Sequence, residues 1–204
     1  GTSHSAVLLR VKHAVENEGA ICLLGNHEGM LIGTAEDTTV EFDDGRRESN
    51  SDLWFINDGV KTCREMFGKL DPAGCPEGRD PLRYGYHVDD YVPVIRESWE
   101  YNFLKKHGRL SFETETIFFS HAPQSEKSIT PDSLLWGRRR DYRDARGDSI
   151  FKVPGNKNMA VHGHMHMAYH GISFPRIMNF EHGSKMRTVV MADCGCGSHS
   201  RGEL

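Results

Sequence analysis

The sequence predicts a layered α/β fold, an inference that rests on three observations. Short apolar runs of the kind that form strands alternate with segments of helical spacing. Two of the apolar runs end abruptly in glycine followed by polar side chains. The chain has 204 residues, 37% of them hydrophobic and 26% charged, which is typical of a globular protein with one sizeable core. We therefore expect one domain over residues 1–204.

The first predicted elements are a helix and a buried strand. Apolar residues recur at helical spacing from Ser5 to Glu16, and Gly19 is a stop signal for this helix. Ala20–Leu24 is a short continuous apolar run, which is typical of a buried strand. This order is a helix-to-strand crossover, half of a βαβ unit whose first strand would precede residue 1.

The remaining elements continue the alternation. The polar segment Glu36–Asp52, with a turn signal at Asp43-Asp44-Gly45, is expected to be a surface excursion. A Pro- and Gly-rich loop is predicted over 71–84. The predicted helices cover 59–67, 91–106 and 131–144, and the predicted strands cover 110–115, 116–120, 158–162 and 188–193.

Composition excludes several classes of protein. A formal net charge of −4 argues against general nucleic-acid or membrane-surface binding by charge. No run approaches the roughly eighteen apolar residues that a membrane-spanning helix needs. The five cysteines are an odd count, and Cys194 and Cys196 are too close in sequence for an ordinary disulfide. A reducing, cytoplasmic setting is therefore expected.

Side chains that can bind a metal follow three of the predicted strands. Asn26 and His27 follow the strand at 20–24, His121 follows the strand at 116–120, and a histidine-rich segment follows the strand at 158–162. The carboxyl ends of strands line one edge of an open α/β sheet. Imidazole suits zinc, manganese or iron, and an amide carbonyl adds a harder oxygen donor. These residues predict a metal site at that edge.

The histidine-rich segment leaves open which of its members bind the metal. Strand alternation would point His162, His164 and His166 to the same side, so spacing alone does not choose two ligands from three. A single buried histidine is more often a hydrogen-bonded core residue than a ligand. We prefer that interpretation for three others, His170, His182 and His199.

These segments resemble motifs of one known family. Gly25-Asn26-His27-Glu28, Ser120-His121-Ala122 and Gly163-His164-Met165-His166 resemble the third, fourth and last motifs of the calcineurin-like metallophosphoesterases. The nearer likeness is to the bacterial and phage branch of the phosphoprotein phosphatases, which includes the symmetrical dinucleoside-tetraphosphatases. Lesser matches, in the family's order, are Trp54–Gly59 with Thr62, Leu134–Arg138 and Asp193–Gly197. The resemblance implies a layered β-sandwich flanked by helices.

The resemblance also implies roles for individual residues. Asn26, His121 and His164 would hold one of two divalent ions, and His166 would bind the other. Manganese is expected ahead of iron, zinc or nickel. His27 would act as the general acid beside the scissile phosphate.

Arg138 would be both a catalytic and a substrate-binding residue, because a guanidinium can grip two phosphate oxygens at once. The alternative is that Arg138-Arg139-Arg140 is simply the solvated face of a helix. Spacing from the preceding Leu135-Trp136 is what singles out the first of the three.

Two motifs of the family have no counterpart in the chain. These are Gly-Asp-x-His and Gly-Asp-x-x-Asp-Arg-Gly, which supply the remaining metal ligands and the bridging aspartate. Gly1–Ser5 has the position of the tail of the second motif, so we expect the N-terminal βαβ portion of the fold to be missing. A bridging carboxylate offsets the repulsion between two cations. The chain alone is thus expected to bind at most one metal tightly and to show little phosphatase activity.

The implied activity is hydrolysis of phosphomonoesters by attack of a metal-bridging hydroxide. The expected partners are phosphoserine or phosphothreonine proteins, or small phosphate esters, without nucleic acid or membrane. Two alternatives remain open. One is a hydrolase of dinucleoside polyphosphates, and the other is a binding module of the same fold that does not catalyse.

Overall fold

A computed structural model describes residues 4–42, 45–57, 59, 62–63, 88–124, 129–137, 153–164, 175–182 and 184–193. The chain divides into two compact units, which are described separately. The first comprises residues 1–22, 27–41 and 45–108, and the second comprises residues 23–26, 42–44 and 109–204. The single catalytic domain expected from the sequence stays a prediction.

Helices dominate the first unit. They are α1 (His4–Asn17), α2 (Asn26–Glu36, whose first residue belongs to the second unit), α3 (Asn50–Ile56), α4 (Val88–Glu97) and α5 (Trp99–His107). Met30, Trp54, Tyr91, Ile95 and Leu104 are almost completely buried in this unit. Burial of such large apolar side chains is the main force that holds short helices together. The helix predicted over residues 5–16 is confirmed as α1.

Ser98 divides the helix predicted over 91–106 into α4 and α5. Its backbone is extended, with φ −71° and ψ 147°, and its hydroxyl accepts a hydrogen bond from the Tyr101 N–H. This is the geometry of a helix N-cap, in which the side chain satisfies a backbone donor at the start of α5. The prediction of one continuous helix was therefore wrong at this position.

The polar segment 36–52 has more regular structure than a surface excursion. Strands β2 (Thr39–Glu41) and β3 (Arg47–Ser49) form an antiparallel hairpin, and Ser49 caps α3 directly afterwards. The predicted turn at Asp43-Asp44 lies outside the described residues. Of the alternating side chains in β2, only Val40 is buried, so the hairpin keeps a largely polar surface.

The chain passes into the second unit along two very short strands. Strand β1 (Cys22–Leu23) pairs with β4 (Gly108–Arg109), and the Leu24 N–H donates to the Arg109 carbonyl oxygen at 2.9 Å. The strand predicted over 20–24 is thus present in a shortened form.

A five-stranded mixed sheet forms the second unit. Its members are β5 (Ser111–Glu113), β6 (Ile117–Ser120), β7 (Met159–His162), β8 (Arg176–His182) and β9 (Lys185–Met191). They are arranged in the order β5-β6-β7-β9-β8. The central strands β6, β7 and β9 are parallel, whereas β5 and β8 pair antiparallel to their neighbours. Four of these strands agree with the sequence prediction, and β8 was not predicted.

One face of this sheet carries the core of the second unit. Phe118, Ala160, Val189 and Met191 line it from three parallel strands, and Leu134 and Val153 pack against them. Leu134 belongs to α6 (Pro131–Trp136), which begins with proline and with a Thr130–Ser133 capping box, and its start at proline agrees with the sequence prediction. Strands β6 and β7 end together, because Ser120 pairs with His162.

Other predicted elements fall largely outside the described residues. They are the helix over 59–67, the loop over 71–84 and residues 138–144 of the helix predicted over 131–144. The prediction of a continuous helix was wrong at Gly137, because α6 ends at Trp136 and the backbone of Gly137 is not helical, with φ −53° and ψ 131°. Among the described residues, no helix is both long and apolar enough to cross a membrane.

Candidate metal centre

The structure brings three of the predicted ligands together in the second unit. His121 Nε2 lies 3.0 Å from Asn26 Oδ1 and 3.1 Å from His164 Nδ1. The two imidazole rings meet edge to face, with centroids 4.9 Å apart. All three side chains are half-buried, so they are held in place yet reachable from solvent. His121 Nε2 thus lies within hydrogen-bond distance of both the amide oxygen of Asn26 and a ring nitrogen of His164.

Each of these side chains lies just beyond the end of a strand. Asn26 is the first residue of α2, three positions after β1, and His121 directly follows β6. His164 lies two residues beyond β7. The Gly163 N–H donates to the His121 carbonyl oxygen at 2.8 Å, which holds the two post-strand segments side by side. The common end of the parallel strands β6 and β7 places His121 and His164 at one edge of the five-stranded sheet. Asn26 follows β1, which belongs to a separate two-stranded sheet.

His164 has left the strand alternation that was expected from the sequence. Its φ is +63°, a left-handed conformation that non-glycine residues adopt rarely and at a cost of about 1–3 kcal/mol. Because β7 already ends at His162, the expectation that His162 and His164 point the same way for reasons of strand geometry was wrong. Strained backbone of this kind clusters at functional sites.

His162 is a core residue. It is 1% exposed, and its Nδ1 lies 2.8 Å from the Ser120 hydroxyl, while its Nε2 has no hydrogen-bond partner among the described residues. Burial lowers the pKa of His162 to about 4, and the contact with Ser120 opposes this shift only in part. A buried polar atom without a partner typically costs about 1–3 kcal/mol. The structure therefore distinguishes the buried His162 from His164, which lies beside His121. Sequence spacing alone left open which of the two is a candidate ligand.

The three converging atoms fit a transition metal ion in spacing and in chemistry. A six-coordinate ion with bonds of about 2.1 Å holds neighbouring donors about 3.0 Å apart, close to the separations in this structure. Imidazole nitrogen and amide oxygen are ordinary ligands of manganese, iron and zinc. No cluster of three His, Cys, Asp or Glu side chains occurs among the described residues, so the third donor is an amide.

The proton arrangement at this point is set by the partners. Asn26 Oδ1 can only accept a hydrogen bond, so His121 Nε2 carries the proton when that bond forms. The same N–H then faces His164 Nδ1, which is left as an acceptor. A cation bound at this point would replace the shared proton, since metal ligands must present lone pairs.

Buried polar side chains hold the segment after β6 against helix α6. Gln124 is completely buried, and its amide donates to the carbonyl oxygens of Ala122 at 2.9 Å and Ser133 at 3.0 Å. The Ser133 hydroxyl donates back to Gln124 Oε1. The Ala122 N–H donates to the Leu134 carbonyl oxygen. Gln124 was not among the residues predicted from the sequence, although a glutamine so close to a predicted ligand could have been noticed.

Trp136 at the end of α6 packs against the candidate ligands. Its indole is perpendicular to the His164 ring, at 82°, with centroids 6.3 Å apart, and its other neighbour is Phe42 at 5.8 Å. The tryptophan is 8% exposed. The sequence analysis noted Trp136 only as part of the segment Leu134–Arg138. The structure adds that its ring contacts the candidate ligand His164.

The other predicted site residues are His27, His166 and Arg138. His27 is the second residue of α2, directly after Asn26, and its side chain is exposed. His166 and Arg138 lie outside the described residues, so their roles stay predictions. Cys194 and Cys196 also lie outside the described residues.

Buried thiols offer no alternative site within the described residues. Cys22 and Cys63 are both free and buried. Burial raises the pKa of each thiol, that of Cys63 to about 12. Since the thiolate is the form that binds metals and attacks substrates, protonated thiols are inert in both respects.

Comparison with known proteins assigns the chain to a family. The calcineurin-like phosphoesterase family matches residues 2–168, which is most of the chain and includes Asn26, His121 and His164. The chain therefore belongs to this family, and its mixed α/β architecture is consistent with the family's fold. Searches of curated proteins and of solved structures returned no match. The chemistry of the family is metal-dependent hydrolysis of phosphoesters.

Proposed function

We propose that the protein is a metal-dependent phosphomonoesterase of the phosphoprotein phosphatase type, with manganese as its metal. Its substrates are phosphoserine or phosphothreonine in proteins, or small phosphate esters. The observation that carries this proposal is the convergence of Asn26, His121 and His164 in a member of a phosphoesterase family. We assign these three residues to one divalent ion and His166 to a second ion.

A bound divalent ion supplies positive charge for the phosphoryl oxygens and acidifies water. The residues of the chain hold the proposed metal ligands in position. The left-handed backbone at His164 and the short contacts of His121 hold two imidazoles at fixed separation. Such preorganisation lowers the cost of ordering these side chains when a metal ion binds.

His27 is assigned the role of proton donor to the leaving group. It directly follows the ligand Asn26, and its exposed side chain is accessible to a substrate. Hydrolysis of a phosphomonoester releases an alkoxide that must gain a proton, and imidazole is the side chain best suited to supply it near neutral pH. Arg138 is assigned to the phosphate oxygens.

A panel of substrates tests the proposal. Release of inorganic phosphate is measured with manganese and with a chelator, using phosphoserine peptide, a nitrophenyl monoester, a nitrophenyl diester and a dinucleoside polyphosphate. The panel is run on the 204-residue chain and on the natural protein where that is longer. We expect little cleavage by the 204-residue chain alone. In a form of the protein that turns over, we expect manganese-dependent cleavage of the monoesters, abolished by His164→Ala.

Two outcomes would contradict parts of the proposal. Cleavage of the dinucleoside polyphosphate alone would replace the substrate class while leaving the metal site intact. Failure of the wild-type protein to bind manganese, measured by calorimetry, would remove the metal assignment itself.

A further inference from the structure

We infer that the buried pair Ser120–His162 is a brace that fixes the spacing of the metal ligands His121 and His164. The inference rests on the proposed function, because it assigns a positioning role toward the same metal. His162 itself touches neither the ion nor the substrate. It acts through the backbone segments that carry the two ligand histidines.

The direction of the hydrogen bonds is dictated by the chemistry of the partners. The Ser120 hydroxyl lies 2.7 Å from the Ala122 carbonyl oxygen, which can only accept, so the hydroxyl donates there. The same hydroxyl lies 2.8 Å from His162 Nδ1 and must therefore accept from it. The result is a directed chain of hydrogen bonds from the imidazole through the hydroxyl to the Ala122 carbonyl oxygen.

These hydrogen bonds join the ends of strands β6 and β7, and at each strand end they lie next to a proposed metal ligand. Ser120 and Ala122 flank His121, so the bond between them fixes the turn that presents its imidazole. His162 precedes His164 by two residues, and its own carbonyl oxygen accepts from the Ala192 N–H at 2.7 Å. Ser120 and His162 are also the last pair in register between β6 and β7. The regular ladder stops at this pair, and both ligand histidines lie immediately beyond it.

Packing alone does not favour a histidine at position 162. Its ring lies on the same sheet face as Ala160, beside the apolar cluster of the second unit, and is 1% exposed. One of its ring nitrogens has no hydrogen-bond partner among the described residues. An apolar ring of similar size would avoid that cost. The donor at Nδ1 is then the feature that distinguishes histidine from phenylalanine at this position.

The brace matters for metal binding because ligand atoms must be placed within a fraction of an ångström. Groups that orient metal ligands from behind typically change metal affinity by about 10–100-fold when they are removed. His162 and Ser120 differ from the usual case in that they orient two ligands at once through the backbone rather than through the ligand side chains.

Three variants separate the brace from a general structural role. His162→Phe keeps the ring volume and removes the donor, and Ser120→Ala removes the middle member. His162→Asn keeps an N–H donor at the same distance from Cβ as Nδ1. Val189→Ala is the matched control, since it opens the same buried sheet face without touching the hydrogen bonds. Binding of Co²⁺ is measured by calorimetry and by the visible absorption of the bound ion, with thermal unfolding of each metal-free variant in parallel.

We expect His162→Phe and Ser120→Ala to weaken Co²⁺ binding by about tenfold or more and to alter its visible spectrum. His162→Asn keeps the donor and should therefore bind Co²⁺ with an affinity within about threefold of the wild type. His162→Phe should unfold at the same temperature as the wild type or a higher one, whereas Val189→Ala should unfold earlier with unchanged affinity and spectrum.

Several results would overturn the inference. Wild-type affinity and spectrum in both His162→Phe and Ser120→Ala would show that the pair does not position the ligands. An equal loss of affinity in Val189→Ala, or no recovery in His162→Asn, would show that the effect is one of general packing. If His162→Phe does not fold, Ser120→Ala decides the question. Absence of Co²⁺ binding by the wild type would instead contradict the proposed function.

Discussion

Trp136 stands edge-on to His164, with ring centroids 6.3 Å apart and an interplanar angle of 82°. The contact joins the end of helix α6 to the backbone-strained histidine beyond β7. Because the indole is nearly buried, it is surrounded by protein atoms, including the His164 ring, and not by bulk water. The fluorescence of Trp136 is therefore suited to detect metal binding at His164.

The first prediction uses this fluorescence. A paramagnetic ion such as Mn²⁺ at His164 should quench the emission of Trp136, and the quenching should saturate with the binding isotherm measured by calorimetry. The other two tryptophans, Trp54 and Trp99, belong to the first unit. In the control Trp136→Phe, metal should still bind while most of the fluorescence change disappears. A full fluorescence change in that variant would mean that the ion binds elsewhere.

Sequence patterns predicted the proximity of His121 and His164, each of which comes shortly after a strand. Ile117–Ser120 and Met159–His162 are short apolar runs with few alternative structures, and their common edge is a consequence of parallel pairing. The convergence of side chains at that edge could therefore be expected before the structure was known.

The distinction between His162 and His164 could not be predicted in this way. It depends on the Ser120 hydroxyl, which reaches His162 from a different strand, and on a left-handed backbone at His164. Neither is encoded in local periodicity, because both are consequences of tertiary contacts. Strand β8 was missed for a related reason: Asn179 interrupts its apolar residues, and none of its residues from 176 to 181 is fully buried, so it lacks the continuous apolar run of a buried strand.

The second prediction concerns the packing of Gly33 in helix α2. A Cβ atom at this position would lie 2.3 Å from Cγ of Asn50, whose side chain is buried and donates to Thr38 Oγ1. Alanine normally stabilises a helix by about 1 kcal/mol relative to glycine, but overpacking costs about 1–3 kcal/mol. Gly33→Ala should therefore lower the free energy of unfolding, measured by urea denaturation.

A double-mutant cycle checks the cause. In an Asn50→Gly background the atoms that block the new methyl group are gone, so Gly33→Ala should be neutral or stabilising there. An equal loss in both backgrounds would mean that Asn50 is not the obstacle.

The third prediction concerns acid stability. His162 has a pKa of about 4 in the folded protein, against 6.5 for an unperturbed histidine, because burial disfavours the charged ring. Between these values the unfolded chain binds a proton that the folded chain does not. The free energy of unfolding should thus be retained above about pH 6.5 and should fall as the pH drops toward 4, by up to about 3 kcal/mol.

Urea denaturation of the metal-free protein between about pH 7.5 and 4.5 measures this dependence. His162→Phe is the control, since it removes the titrating group and keeps the ring volume. We expect a shallower decline in the variant than in the wild type. Parallel curves for the two proteins would contradict the assignment of acid sensitivity to His162.

The last prediction separates His27 from the metal ligands. In a form of the protein that turns over, His27→Ala should leave metal content nearly unchanged and should lower the rate mainly for substrates with poor leaving groups. An alkyl phosphate releases a strongly basic alkoxide that needs a proton, whereas nitrophenolate hardly does. General acid catalysis typically contributes about 10²–10⁴-fold, so the two substrate types should diverge clearly.

His164→Ala serves as the comparison for His27→Ala, because His164 belongs to the converging donors and His27 does not. It should lose bound metal, and with it activity toward both substrate types together. Metal content is measured by atomic spectroscopy after gel filtration, and rates by phosphate release. If His27→Ala strips the metal as well, His27 is a ligand. If it changes neither metal content nor rate, His27 is a turn residue at the start of α2 and the proton must come from another group.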